Sequence, residues 1–371
     1  YASQVQKGDF VFCRDDESWK SYYDRVFEVK KRDRNYFEDK IEYVYCFKIS
    51  DKEVNENGKS RFFYLGNGLY TSNCRLRSEI KGEFQNSFGA GSSKIGSVGV
   101  VTINLPRLAY ETKDKDRFKE ELKKFVYFTG MVNNVRRMIV KRRIELGTLP
   151  LYTLGYIDLK KQYSTTGITG LNEALEILGL DILSEEGQKY VINLMKDINE
   201  CLNEMDKLYG FWHNVEQVPG ESSCVKLAEK DRILGYNDKY DLYSNQFIPL
   251  WKNCDIFDRI MVQGKFDKWF SGGSILHLNV EQKIKDKETM KSLIESCARS
   301  GCIYFAVNYL LGYCENCKVF RPINKLNSDC EICSRKLDTY QRVVGFLTNS
   351  KYWHRVRREK ELPKRVHYGI S

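Results

Sequence analysis

Two Cys-x-x-Cys pairs constrain this chain more than any other feature. Cys314-Glu-Asn-Cys317 and Cys330-Glu-Ile-Cys333 stand twelve residues apart. Each pair makes a tight knuckle that turns two thiolates toward one point, and four thiolates complete a tetrahedron at about 2.3 Å from Zn²⁺. The segment between the pairs is mostly charged and polar, with one Pro, and cannot form a core alone. A bound metal would supply its folding energy. Residues 311–337 are therefore read as a zinc ribbon. Sulfur fills all four positions, so this zinc is structural and has no open site for catalysis.

The remainder of the 371 residues is globular in composition. Hydrophobic residues make up 42% and charged residues 30%, which excludes a mostly disordered chain. Only 6 Pro are present, which excludes collagen-like and proline-rich readings. No uncharged apolar run approaches ~18 residues, so no membrane-spanning helix is expected. The chain starts at Tyr1 with no charged n-region or apolar h-region behind it, and is read as a fragment of a longer, cytoplasmic product. In that setting the 12 Cys are read as reduced thiols and metal ligands, not disulfides. Net charge is +10, and half of the excess lies in 351–367, where seven Lys/Arg face two Glu. The plain reading is a solvated basic tail; the alternative is an anion site for nucleotide phosphates or nucleic acid.

The texture changes along the chain. Residues 1–73 read as β-rich, with short aromatic and β-branched runs at Asp9–Cys13, Tyr22–Val29, Glu42–Ile49 and Arg61–Leu65. Beyond Cys74, strands are expected at Val98–Ile103, Leu151–Asp158, Ser274–Val280 and Cys302–Asn308. Helices are expected at Asp114–Leu146, Leu171–Leu180, Glu186–Tyr209 and Lys283–Arg299. In the third helix Val191, Leu194, Met195, Ile198, Leu202, Met205 and Leu208 line one face, the pattern of core packing. Strands alternating with helices predict an α/β sheet or barrel.

Just past the quartet stands Arg342-Val-Val-Gly345-Phe-Leu347. Glycine in an apolar run ordinarily marks a bulge or a close backbone approach. A glycine Cα radical, however, delocalises into its own amide and carbonyl, and no side chain opposes planarity. Burial in an apolar loop would shield it from solvent and oxygen. This run, behind a cysteine ribbon, resembles the glycyl-radical loop of class III anaerobic ribonucleoside-triphosphate reductases. Gly96-Ser-Val-Gly-Val-Val-Thr-Ile-Asn-Leu-Pro-Arg107 resembles a strand and turn of that family. So do Thr153–Asp158 with Gly167–Glu173, Asn214–Ser222 and Gly272–His277, in the family's order. The resemblance spans about Cys74 to Ser371. It implies the C-terminal portion of an α/β glycyl-radical barrel at 74–310, the ribbon at 311–337, and the radical loop with a basic tail at 338–371.

The resemblance also implies a chemistry. Gly345 holds the stored radical and oxidises Cys74 to a thiyl, which abstracts the ribose 3′ hydrogen; water leaves C2′ and the thiol is regenerated. Ser97 and Asn104 are the substrate-binding candidates. Ser97 stands where many relatives carry Asn, and Val344 where relatives often carry Cys. Implied partners are an iron–sulfur, S-adenosylmethionine-dependent activase, ribonucleoside triphosphates, and dNTP or ATP effectors bound through an N-terminal half outside this chain. A homodimer is implied for the complete enzyme. The fragment alone is expected to be inactive.

Residues 1–73 resemble the C-terminal part of an intein, a small all-β Hint-type fragment. Glu42–Ile49 and Phe62–Asn73 carry the likeness, with Ala2–Val11 matching an earlier strand. Inteins end in Asn before a Cys, Ser or Thr acceptor, here Asn73 and Cys74. Ser72 replaces the usual penultimate His, and Cys46 stands where Asp is commoner. Splicing would require a complementary N-terminal fragment. Elsewhere, Cys201, Cys224, Cys254, Cys297 and Cys302 read as core thiols. His213 and His277 read as structural, with His277 the better candidate for a substrate contact. Glu216 and Glu221 flank a Pro-Gly turn, either orienting substrate or capping the turn. Two other function classes fit the same features. One is a glycyl-radical lyase of the pyruvate formate-lyase type. The other is a zinc-ribbon nucleic-acid binder that uses the basic tail.

Overall fold

A computed structural model describes residues 10–14, 21–25, 28–32, 44–48, 77–80, 83–86, 96–281, 284, 286–323, 329–343, 345 and 347–369. The chain divides into two compact units, Tyr1–Ser72 and Asn73–Ser371. In the first, β1 (Phe10–Arg14) pairs antiparallel with β2 (Ser21–Arg25), and β3 (Glu28–Arg32) with β4 (Val44–Lys48). The run expected as one strand at Tyr22–Val29 thus belongs to two. Cys46 lies in β4, opposite Lys30. The expected strand Arg61–Leu65, Asn73 and Cys74 lie outside the described residues.

The second unit begins with the antiparallel pair β5 (Arg77–Ile80) and β6 (Glu83–Asn86). An alternation follows: β7 (Gly96–Asn104), α1 (Leu105–Thr112), α2 (Lys115–Glu145), α3 (Pro150–Thr153), β8 (Gln162–Thr169), α4 (Leu171–Ile177), α5 (Glu185–Tyr209), β9 (His213–Gln217), α6 (Ser223–Ile233), α7 (Ile256–Asp267), β10 (Leu276–Val280), α8 (Lys287–Arg299) and β11 (Phe305–Tyr309). β7, β8 and β9 run parallel. A parallel bridge from Glu216 to Gly273 continues the arc toward β10, which pairs parallel with β11. Parallel neighbours need crossovers, and each crossover here carries at least one helix.

Capping explains the helix limits. Asp114 accepts from the backbone N–H of Asp116 and Arg117 at the start of α2, while Arg142 and Arg143 face its C-terminal carbonyls. Ser184 caps α5, which ends at Gly210 in the left-handed conformation. The apolar stripe of α5 (Val191, Leu194, Met195, Ile198, Leu202, Met205) packs on Phe118, Leu122 and Val126 of α2 and on Ile103, Ile168 and Val215 of the strands. Leu208, the last residue of the expected stripe, is exposed. Gly130 is needed where the two helices touch, because a Cβ there would sit 2.0 Å from Met205 Sδ. Among the described residues, no helix is long and apolar enough to cross a membrane.

One expected strand is overturned. Leu151–Asp158 is a helical turn started by Pro150, followed by Gly155 at φ +76°. The strand lies further on, at Gln162–Thr169, buried throughout yet built of Gln, Ser and Thr. The ribbon sheet has the order β13-β12-β14-β15, from β12 (Leu311–Cys314), β13 (Val319–Pro322), β14 (Asp338–Arg342) and β15 (Leu347–Asn349). It therefore extends past the expected boundary at 337. Arg342 pairs with Leu347, so Gly345 lies in the loop of a hairpin belonging to the ribbon.

Candidate active site and metal centre

Side chains alternate across a strand. Ile103, Ile168, Val215, Leu276 and Leu278 face the helices and form the core. The opposite face carries Thr102, Thr165, Asn214, Glu216, His277, Asn279 and Asn308, in register as Thr165 with Asn214 and Asn279 with Asn308. Apart from Thr102 these are buried. Neither polar end of Asn214 has a partner, and the same is true of Asn279 Nδ2 and Asn308 Oδ1. An unsatisfied buried polar group costs about 1–3 kcal/mol, so this polar row is a surface that a hydrogen-bonding ligand would satisfy. His277 joins it through Nδ1, 3.1 Å from Asn308 Nδ2. His213 is structural, its Nδ1 lying 2.9 Å from Asp206 Oδ1.

Ser97 and Asn104 lie toward opposite ends of β7, roughly 20 Å of extended chain apart. Ser97 Oγ sits at a β-bulge, 2.7 Å from Thr165 Oγ1 and 3.0 Å from the Gly99 carbonyl. Asn104 caps α1, accepting from Arg107 N–H at 3.3 Å, and its Nδ2 donates to Asp231 Oδ2 at 2.8 Å. Both ends of the Asn104 amide are therefore engaged by the chain itself.

The cysteine quartet comes together as expected. The Sγ atoms of Cys314, Cys317, Cys330 and Cys333 lie within 4.8 Å of one another. Cys314–Cys333 is 3.5 Å and Cys330–Cys317 is 3.9 Å. A tetrahedron with 2.3 Å metal–sulfur bonds has edges of about 3.8 Å, so the donor set fits zinc. Both knuckles use the same turn. Lys318 N–H donates to the Cys314 carbonyl and Ser334 N–H to that of Cys330, and both residues adopt φ +55°. Backbone N–H groups of Cys333 and Ile332 draw the Cys330 thiol down to about 6, toward the thiolate a metal takes.

Gly345 is half-buried, so the expected burial is incomplete in this chain. No described residue lies within 4 Å of a Cβ added there, and its φ is not in the left-handed region. Neither a close approach nor backbone strain calls for glycine. The loop is firmly held all the same. Arg342 Nη1 donates to the Gly345 carbonyl at 2.6 Å. Arg365 donates to the Arg342 and Val343 carbonyls at 2.7 and 3.0 Å and to Gln341 Oε1 at 3.1 Å. The tail is thus not simply solvated, contrary to what its composition suggests. Arg357, Glu361 and Arg365 are each about 1% exposed. Their i, i+4, i+8 spacing was legible, but nothing in the sequence marked the row as buried.

The fold and site define a mixed α/β protein whose cysteine ribbon presents a glycine hairpin. The family model for anaerobic ribonucleoside-triphosphate reductase matches residues 8–368. The chain belongs to that family. It is 22% identical over 307 residues to the anaerobic ribonucleoside-triphosphate reductase of Enterobacteria phage T4, covering 73% of this chain and 48% of that protein. The enzyme of the same name from Haemophilus influenzae is 20% identical over 288 residues, with 68% and 39% covered. Among solved structures, an anaerobic ribonucleotide reductase superposes with a TM-score of 0.70 at 38% identity, covering 74% of this chain and 45% of that one. The Thermotoga maritima enzyme in complex with dATP and CTP gives 0.65 at 38% identity, with 71% and 45% covered. The chain spans less than half the length of these relatives.

Proposed function

We propose that this chain supplies the radical-storing part of an oxygen-independent ribonucleoside-triphosphate reductase. Gly345 carries the spin on its Cα and Cys74 relays it. The Cys74 S–H gives its hydrogen to the Gly345 radical and becomes a thiyl, which takes the ribose 3′ hydrogen. The 2′ hydroxyl leaves as water after protonation. Two electrons and a proton enter from an external reductant, formate or a redox-protein thiol, leaving hydrogen on C2′; Cys74 S–H returns its hydrogen to C3′, and the thiyl so formed takes hydrogen back from Gly345, which holds the radical again. The observation that carries this reading is the freedom around Gly345. Among the described residues nothing gives glycine a steric reason to stand there, in a loop held by three arginine contacts.

A radical-S-adenosylmethionine activase would install the spin. Zinc, held by Cys314, Cys317, Cys330 and Cys333, would keep the hairpin in shape. The polar row Asn214–Asn279–Asn308 supports a ribose-binding surface better than Ser97 and Asn104 do. Substrates and effectors are ribonucleoside and deoxyribonucleoside triphosphates, in keeping with the dATP and CTP bound to the Thermotoga relative. The nucleic-acid-binder reading loses support because Arg357 and Arg365 are buried in ion pairs. In protein complemented with the rest of the enzyme and activated without oxygen, Cys74→Ser should retain a glycyl doublet in electron paramagnetic resonance but form no deoxyribonucleotide. Wild-type turnover in that variant would overturn the role of Cys74.

We further infer that residues 1–73 are the C-terminal part of an intein ending at Asn73, with Cys74 as acceptor and Cys46 as an auxiliary group. The antiparallel strand pairs of the first unit support this, as does a unit boundary one residue before Asn73. The family match beginning at residue 8 competes for the same stretch. Co-expression with an upstream complementary fragment should yield a ligated product joined at Cys74. A chain that still begins at Tyr1 would sink the intein reading.

A further inference from the structure

The last described segment of the chain does more than follow the glycine hairpin. Arg357–Glu361 forms a π-helical turn, a geometry that often marks functional positions. It places Arg357, Glu361 and Arg365 in a buried row. Arg357 Nη1 lies 2.5 Å from Glu361 Oε2, and Arg365 Nη2 lies 2.7 Å from Glu361 Oε1. Burial opposes the charge on Glu361, but the two guanidinium groups outweigh it and hold the carboxyl below its ordinary range.

The outer donors of the row reach in opposite directions. Arg357 Nε and Nη2 donate to the Glu221 and Gly220 carbonyls, at 2.6 and 3.1 Å, in the turn after β9. Arg365 donates to the Arg342 and Val343 carbonyls, three and two residues before Gly345, and its guanidinium lies 4.8 Å from the Trp353 ring centre. Past the row the chain docks on the strands again. Val366 N–H donates to the Leu250 carbonyl, and Tyr368 N–H donates to that of Asn279 in β10. Two strand ends and the glycine loop are therefore spanned by one strap, in which Glu361 is the carboxylate that both guanidinium groups contact.

We propose that Glu361, acting through Arg357 and Arg365, is the positioning residue that fixes the Gly345 loop against the turn after β9. This rests on the reading of Gly345 as the radical site. Glu361 touches neither substrate nor the reacting carbon. It sets where that carbon stands, because without its charge two buried guanidinium groups repel each other and their hold on the backbone carbonyls and on Gln341 weakens. A strap of this kind also allows the loop to be released without unfolding the ribbon, since β14 and β15 keep their own pairing.

The test compares Glu361→Gln, Glu361→Asp and Arg365→Lys in the full chain. Hydrogen exchange is measured by peptide, alongside zinc content. In Glu361→Gln, exchange across 342–347 should rise at least about tenfold, with β12 and β13 unchanged and zinc retained. Glu361→Asp, which keeps the charge, should recover most of the protection. Arg365→Lys keeps the charge but loses the fork, and should loosen the loop and not the turn after β9. It carries the test if Glu361→Gln does not fold. The activated protein should lose most of its glycyl doublet in Glu361→Gln and regain it in Glu361→Asp. Wild-type protection of the loop in both Glu361→Gln and Arg365→Lys would overturn the proposal; if Glu361→Gln does not fold, Arg365→Lys alone decides. Absence of any doublet in the wild-type protein would instead overturn the radical assignment, and the exchange data would still judge the strap.

Discussion

Replacing Gly345 by Ala is expected to remove the glycyl radical entirely while leaving the fold as stable as before, or slightly more so. The two halves of this expectation have different physical origins. Glycine-to-alanine changes at positions whose conformation alanine can adopt stabilise by about 0.4–1 kcal/mol, because the unfolded chain loses freedom. Gly345 meets that condition among the described residues, none of which lies within 4 Å of an added Cβ, and its φ is not left-handed. An alanine Cα radical, in contrast, must flatten against its own methyl group, and it also presents a less accessible hydrogen for abstraction. Thermal melting should therefore shift upward by a few degrees at most, zinc content should be unchanged, and the doublet should vanish. A destabilised Gly345→Ala protein would return Gly345 to the ordinary role of a backbone residue. A persistent doublet would move the radical elsewhere. Gly264 is the contrasting control, since a Cβ there would sit 1.8 Å from the Ser300 backbone carbonyl oxygen, and alanine should destabilise without touching radical chemistry.

Parts of the architecture were legible because local and tertiary signals agree. The helix expected at Asp114–Leu146 matches α2 to within a residue at each end, because Asp114 caps its first turn and arginines occupy its last. The apolar periodicity of α5 gave both the helix and the face it buries. The cysteine spacing gave the metal cluster, since two knuckles admit few other geometries. The strands around the candidate site were harder, for a physical reason. β8 and β9 are fully buried, yet they read Gln-Tyr-Ser-Thr-Thr-Gly-Ile-Thr and His-Asn-Val-Glu-Gln. Their hydroxyls pair within the fold, as Thr166 does with Thr129 and Thr165 with Ser97. A buried strand whose inner face must bind polar groups does not look apolar. Leu151–Asp158 does look apolar, and is instead a turn whose Leu151, Leu154 and Tyr156 stay exposed. The clasp of Arg357, Glu361 and Arg365 was hidden by its charge. Composition alone assigns such a segment to solvent, and only the carbonyls it meets reveal otherwise.

Removing the metal should loosen the glycine loop more thoroughly than any substitution within the loop itself. The ribbon core comprises Cys314, Ile323, Cys330 and Leu337, and two of these four are ligands. Burying Ile323 and Leu337 contributes on the order of 3–6 kcal/mol. The cluster of tilted and edge-on rings of Tyr313, Phe320 and Tyr340 adds about 1 kcal/mol per pair. These contacts alone do not offset the conformational entropy lost when the segment is ordered. Zinc binding to structural thiolate sites supplies about 10–16 kcal/mol, and backbone pairing in the sheet adds to it. Without metal, β12 should therefore melt, and β14 loses its partner on that side, since Leu311 pairs with Tyr340 and Tyr313 with Asp338. Gly345 lies three residues beyond the end of β14. Chelation, or Cys330→Ser, should thus raise hydrogen exchange through 311–347, while β7, β8 and β9, which the helices cover, keep their protection. The glycyl doublet should fall to background in the same samples, and zinc returned before activation should restore it. A zinc-free chain that stays protected at β12 and still stores the radical would show that the ribbon folds by its own contacts. The metal would then have no part in holding the glycine.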